Sequence, residues 1–252
     1  MSLRRFLPLV LILVLCSPFA MGAERGSKKD RSLSRGELGR AYLQEGSLES
    51  AIGALREAVA LDRTNWSAWT FLGLALAEKG KPEDAEKAFN KALRYADDRA
   101  EPHLNYGLFL FGQGRVDEAI TQYEAAMEDL TYRKPAFVMN NLGFAQMSKG
   151  DFDAAIQSLS EAVSRAPNLC PALFNLGLAY EGSGDDTAAI KAYQDVVETC
   201  GEEVPGAYLQ VGRLMAEQGR TAEASTWLFQ VVDLAPETDA SQAALELLAT
   251  FE

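Results

Sequence analysis

The stretch WTFLGLALAEKGKPEDAEKAFNKA, residues 69–92, reads as two amphipathic helices joined by a tight turn. Trp69, Leu72 and Leu76 fall at i, i+3 and i+7, one face of a helix. The break Lys79-Gly80-Lys81-Pro82 follows, and then Ala85, Phe89 and Ala92. The same skeleton recurs six times, about every 34 residues. Its first helix carries a Gly at 39, 73, 107, 143, 177 and 212. Twelve residues later comes Ala51, Ala85, Ala119, Ala155, Ala189 or Ala224. A bulky apolar residue stands four positions on, at Leu55, Phe89, Tyr123, Leu159, Tyr193 and Leu228. A small or β-branched residue follows, at Ala58, Ala92, Ala126, Ala162, Val196 and Val231. A period of this length marks stacked helix pairs rather than a compact enzyme fold. Such stacks present extended concave surfaces that bind other proteins.

Turns separate the paired helices at Glu45-Gly46, Lys79-Gly80, Gln113-Gly114, Lys149-Gly150, Gly182-Ser183-Gly184 and Gln218-Gly219. A Gly there accepts the left-handed conformation that closes a helix. Ser47, Asp151 and Asp185 are expected to start the next helix, as caps or in its first turn. Pro167 and Pro236 mark the ends of the fourth and sixth units. Two spacings are longer, 36 residues from Gly107 to Gly143 and 35 from Gly177 to Gly212. The extra residues are placed near 130–134 and 200–203. The organisation expected is a signal at 1–22, a flexible linker at 23–33, six units over 34–236 and a capping helix within 237–252. Ala243, Ala244, Leu247 and Leu248 share the face with which that last helix covers the sixth unit.

The first residues are a separate object. Arg4 and Arg5 precede an apolar run, 7–15, that is too short to span a bilayer comfortably. Ala20-Met21-Gly22 then gives a small-x-small cleavage site, so the segment reads as an export signal. Two routes remain open: cleavage after Gly22, or lipid attachment at Cys16 directly behind the apolar run. Lipid would tether the protein to a membrane, whereas cleavage would release it. Lys28, Lys29, Arg31 and Arg35 belong to a solvated tether, or else touch acidic headgroups. Both routes leave Cys170 and Cys200 in the folded part. Cys170 opens the fifth unit and Cys200 lies near the end of its second helix, so antiparallel pairing brings them to one end of a hairpin. That is compatible with the ~4.4–6.8 Å Cα separation of a disulfide. Two separately buried free thiols are the alternative reading.

A formal net charge of −12 argues against nucleic acid as a partner, since phosphate binding wants clustered cations. The acidic residues are read as a solubilising outer surface. No catalytic constellation is found. His103 is the single His and stands where the first helix usually packs, and no second catalytic partner can be named. The glycines recur with the repeat and precede no Lys-Ser/Thr, so no phosphate loop, cofactor or small-molecule substrate is expected. Two thiols without a neighbouring His argue against a zinc site, and no metal is expected. Asn65-Trp66-Ser67 fits a glycosylation sequon only by its three-residue pattern.

Trp69, Leu72-Gly73, Ala85, Phe89 and Ala92, with Leu176-Gly177, Tyr180, Ala189 and Tyr193, resemble the tetratricopeptide repeat. The resemblance implies an all-α, right-handed superhelical solenoid of six helix pairs with a C-terminal capping helix. It also implies a concave wall built from the first helix of each pair. Carried onto this chain, that wall holds Leu104, Leu108, Phe111, Phe137, Asn140, Phe144, Met147, Phe174 and Leu178, with Arg40 and Arg213 toward the ends. An apolar strip rimmed by polar residues marks a protein contact, and an amphipathic helix or strand can lie in it. The bland alternative is that these side chains pack on neighbouring helices. Gly36, Thr70, Leu104, Asn140, Phe174 and Leu209 replace the clamp with which chaperone-binding relatives hold C-terminal carboxylates.

A finer resemblance rests on residues 104–110, the turn Gly114-Arg115, the lengthened loop with Tyr132, and Asn141-Leu142-Gly143. These look like the PilF/PilW/Tgl family of type IV pilus biogenesis proteins, or pilotins. That likeness implies an exported scaffold at the periplasmic face of the outer membrane, binding secretin subunits and promoting their assembly. The competing expectation is an interaction subunit of a cell-envelope polysaccharide or peptidoglycan enzyme complex.

Overall fold

The computed structural model describes residues 27–201 and 204–251. The export signal expected at 1–22 and the lipidation candidate Cys16 lie outside the described residues. Among the described residues the chain forms thirteen α-helices and no strand. They are α1 (Lys28–Gln44), α2 (Leu48–Leu61), α3 (Trp66–Glu78), α4 (Pro82–Tyr95), α5 (Ala100–Gly112), α6 (Val116–Met127) and α7 (Pro135–Ser148). Then follow α8 (Phe152–Arg165), α9 (Cys170–Ser183), α10 (Asp186–Cys200), α11 (Pro205–Glu217), α12 (Thr221–Leu234) and α13 (Asp239–Leu248). Odd and even helices pair from α1/α2 to α11/α12, and α13 packs on α12 and α11. None of the described helices is long and apolar enough to cross a membrane.

Each pair closes through one steric match. The recurrent Gly of the first helix receives the bulky residue sixteen positions on: Gly39 takes Leu55, Gly73 takes Phe89 and Gly107 takes Tyr123. Gly143 takes Leu159, Gly177 takes Tyr193 and Gly212 takes Leu228. A Cβ at any of the six would stand 2.5–2.9 Å from the nearest of these atoms. The recurrent Ala, bulky and small positions are all 0–1% exposed in every copy. Burying a Leu- or Phe-sized side chain contributes about 1.5–3 kcal/mol, so this column holds the two helices of each pair together. The turn glycines 46, 80, 114, 150, 184 and 219 adopt φ of +73 to +85°. Of the expected caps, only Asp185 accepts a hydrogen bond with its side chain, from the Ala188 N–H at 2.9 Å. Ser47 and Asp151 occupy the cap position without one.

The expected linker 23–33 is corrected in its second half, because α1 already begins at Lys28. Ser27 and Asp30 form a capping box: the Asp30 N–H donates to Ser27 Oγ at 3.1 Å and the Ser27 N–H to Asp30 Oδ2 at 2.9 Å. A box of this kind starts a helix without the apolar periodicity by which helices are found in a sequence.

The two ends of the stack are finished differently. The positions filled by Ala68 and Trp69 in the second unit, and by Ala172 and Leu173 in the fifth, hold Ser34 and Arg35 in the first. Both of these are exposed, so the leading face is polar there by substitution. At the trailing end α13 covers Tyr208, Leu228 and Val231 through Ala244, Leu247 and Leu248. The first and second units are also joined by buried polar groups. Asn65 Nδ2 donates to Ser32 Oγ at 2.9 Å, and Ser32 Oγ donates to the Ala58 carbonyl at 2.8 Å. Asn65 Oδ1 accepts from the Ala68 N–H at 3.0 Å.

Candidate protein-binding groove

In a curved stack, helices on the inner side approach one another more closely than those on the outer side. Here α1 meets α3, α3 meets α5, α5 meets α7 and α7 meets α9, whereas the even helices make at most marginal contact with each other. The odd helices therefore line the inner face. The α5/α7 contact is thinner than its neighbours. The connection 128–134 between α6 and α7 is also longer than those at 62–65, 96–99 and 166–169.

Leu108 on α5 and Phe137 and Phe144 on α7 are 44%, 47% and 42% exposed. Phe144 lies against Phe111, ring centroids 5.5 Å apart. Leu104 and Phe111 are part-buried against the core of the first three units. Met147 leans on the Leu159 cluster, and Phe174 and Leu178 on the Tyr193 cluster. Phe174 meets Tyr193 at 5.3 Å. Asn140 Oδ1 accepts from Asn175 Nδ2 at 3.0 Å, tying α7 to α9. The expected wall thus divides into an exposed strip across α5 and α7 and a flank that is half core.

Arg213 does not offer a free charge. Its guanidinium reaches Glu181 at 2.6 Å and Glu217 at 2.7 Å, and Arg40 likewise reaches Glu37 at 2.6 Å. Arg115 holds Glu86 at 2.8 Å and Glu118 at 2.6 Å. Tyr106 donates to the same Glu86 oxygen at 2.9 Å. Burial and then that carboxylate push the Tyr106 hydroxyl up to about 12. It stays a neutral donor through the physiological range.

The lengthened loop builds something that its spacing does not announce. Asp129 Oδ1 accepts from the Thr131 N–H at 3.0 Å and hydroxyl at 2.6 Å, and Asp129 Oδ2 accepts from the Ala100 N–H at 3.1 Å. These bonds hold the Asp129 carboxyl below its ordinary range and fasten the loop to the start of α5. Between loop and helix lies a cleft of about 500 Å³ with Trp66, Arg99, Leu104, Tyr132, Arg133 and Lys134 on its walls. Arg99 sits over the Trp66 ring at 5.5 Å and Lys134 over Phe137 at 5.8 Å. The altered spacing reveals the loop but not the use of its cations. Their convergence with Arg99 and Trp66 depends on three separate units.

His103 Nδ1 is 2.9 Å from Gln122 Oε1, and the two form a part-buried pair between helices of one unit. Asn65 is 8% exposed and both atoms of its amide are hydrogen-bonded, so the sequon is spent on the fold. Among the described residues no three His, Cys, Asp or Glu groups cluster as a metal site would need. Cys170 opens α9 and Cys200 closes α10, their Cα atoms 6.0 Å apart and their sulfurs joined.

A family model described as tetratricopeptide repeat matches residues 37–100, 72–131 and 140–208. The chain is 29% identical over 152 residues to the type IV pilus assembly protein PilF of Pseudomonas aeruginosa, covering 58% of this chain and 60% of that protein. The match thus spans less than two thirds of the length of that relative. A solved structure of Pseudomonas aeruginosa PilF superposes with a TM-score of 0.74 at 22% identity, over 87% of this chain and 98% of that one. The structure of PilW, a widely conserved type IV pilus biogenesis factor, gives 0.75 at 22% identity, over 85% and 98%. These two superpositions share the architecture of the stack.

Proposed function

Because the chain belongs to the tetratricopeptide repeat family, we propose that it is a non-catalytic scaffold that holds a secretin subunit of the outer membrane and promotes its assembly for type IV pilus biogenesis. The observation that carries this reading is the exposed strip of Leu108, Phe137 and Phe144, on a chain similar to PilF over 152 residues. An amphipathic secretin segment laid across α5 and α7 buries its apolar face there and leaves its polar face in water. Holding such a segment keeps apolar surface from non-productive association until subunits meet. The work is done by binding alone, and the 34–236 stack supplies one continuous surface for it.

The reading places the protein at the periplasmic face of the outer membrane, delivered by the segment 1–22. Release after Gly22 and lipid attachment at Cys16 give mature chains of different mass, so mass spectrometry of the mature N-terminus separates them. In that oxidising compartment the Cys170–Cys200 pair stays bonded. The decisive experiment is deletion of the gene in the producing organism. Secretin monomers should persist while multimers disappear, and point variants Phe144→Ala and Leu108→Ala should reproduce part of the loss. Normal multimers in the deletion strain sink the proposal. Capture of a polysaccharide or peptidoglycan enzyme as the main partner replaces it with an accessory role in an envelope complex.

A further inference from the structure

The cations around the groove are not all used alike. On the side of the turns within units, Arg115, Lys149 and Arg220 are each held by a carboxylate, as are Arg40 and Arg213 on the wall itself. On the side of the connections between units, Arg99, Arg133 and Lys134 have no carboxylate within ion-pair distance among the described residues. All three converge on one cleft of about 500 Å³. In a chain of net charge −12, three cations without a carboxylate ion pair, beside an exposed apolar strip, are a local excess of positive charge.

The acidic groups of the same cleft, Asp129 and Glu101, offset the three cations only in part. Asp129 is committed to Thr131 and the Ala100 N–H, and Glu101 is half-buried with Arg40 as its cationic neighbour. Asp97 and Asp98 precede Arg99 but do not line the cleft. The cleft is also pre-formed, since Asp129 pins the loop to α5 and Arg99 rests on Trp66. Little ordering is left to be done when a ligand arrives. Phe137, in the exposed strip, lies directly under Lys134. Apolar and cationic surfaces are therefore continuous.

We propose that this cleft receives an acidic side chain of the bound protein segment, so that the partner carries an Asp or Glu beside the apolar residues that cover Leu108, Phe137 and Phe144. The inference rests on the groove reading above and adds the charge of the occupant. Trp66, Tyr132 and Leu104 give the cleft apolar walls beside the three cations, and a lower local dielectric there strengthens their attraction for a carboxylate. Leu130, 95% exposed at the loop tip, extends the apolar contact beyond the cleft.

The test uses the full mature chain and the purified periplasmic portion of the organism's secretin, with affinity measured by calorimetry at about 50 and about 300 mM NaCl, on either side of physiological screening. The double variant Arg133→Glu/Lys134→Glu should weaken binding about tenfold at low salt, with a smaller gap at high salt because exposed charges are screened. Arg133→Lys/Lys134→Arg should bind as the unaltered chain does, and Lys87→Glu, on α4 away from the cleft, should change little. Overlapping secretin peptides that bind should contain Asp or Glu. Unchanged affinity in the double reversal, with Phe144→Ala still weakening binding, overturns the inference and leaves the groove reading standing. No binding by the unaltered chain overturns the secretin reading and this inference with it. Retention on phosphatidylglycerol vesicles that is lost in the double reversal assigns the cleft to a lipid surface and also overturns it.

Discussion

At the residue scale, size matters more than chemistry at the recurrent glycines. A Cβ at Gly177 would stand 2.5 Å from the Tyr193 ring, which is fully buried and cannot swing away. Gly177→Ala should lower stability by about 1–3 kcal/mol, read in urea melts, as overpacking does. Gly53 lies mid-helix on the exposed face of α2, where an added Cβ would meet nothing within 4 Å. Gly53→Ala should therefore raise stability by about 0.5–1 kcal/mol through helix propensity alone. Opposite signs for one substitution at two glycines are the expected outcome, and equal effects would refute the steric match. Glu101 offers a pH test. Burial pushes its carboxyl up, Arg40 partly offsets this and Glu37 adds to it. Its folded form thus disfavours charge. The cost is absent below about pH 4, where the unfolded chain is also protonated, and is complete once pH exceeds the raised folded value. Glu101→Gln should raise Tm at pH 7 and leave it unchanged near pH 4. The six-fold Gly and bulky columns are legible in the sequence because each copy repeats them. The grouping of Arg99, Arg133 and Lys134 without a carboxylate ion pair is not, because nothing in the period marks which charged residues find an opposite charge.

At the element scale, the periodic signal locates the paired helices and fails where a helix begins without an apolar face. The start of α1 at Lys28 depends on Ser27 and Asp30, two exposed residues that carry no periodicity. The lengthened connection 128–134 is visible as an altered spacing, but its consequence is not. Only the structure reveals that its residues wall a cleft against the start of α5. The fifth unit gives a second prediction at this scale. Cys170 and Cys200 enclose a separation of 30 residues, and linking them stabilises by about 3–4 kcal/mol in the chain-entropy view. Reductant should lower Tm of the unaltered chain and have no effect on Cys170→Ser/Cys200→Ser. An equal shift in both chains would mean that the pair is not what reductant acts on.

At the scale of the whole molecule, stability comes from neighbours, as in any stacked repeat. Ending the chain after Ala235 removes α13 and bares Tyr208, Leu228 and Val231. The shortened protein should melt lower and sediment as oligomers, while the leading face, polar at Ser34 and Arg35, needs no such cover. The groove as a surface is legible from the order of helices. The division of its wall into an exposed strip and a half-core flank is not, since exposure depends on how each side chain packs on its neighbours. The bonds among Asn65, Ser32 and Ala58 constrain the order of the units. A uniform stack would let its modules be shuffled at no cost. Here the second module carries an amide whose N–H donor finds its partner, Ser32, on the first, so moving it elsewhere would strand a buried polar group at about 1–3 kcal/mol. The first junction thus acts as an index mark, fixing where the count of modules begins.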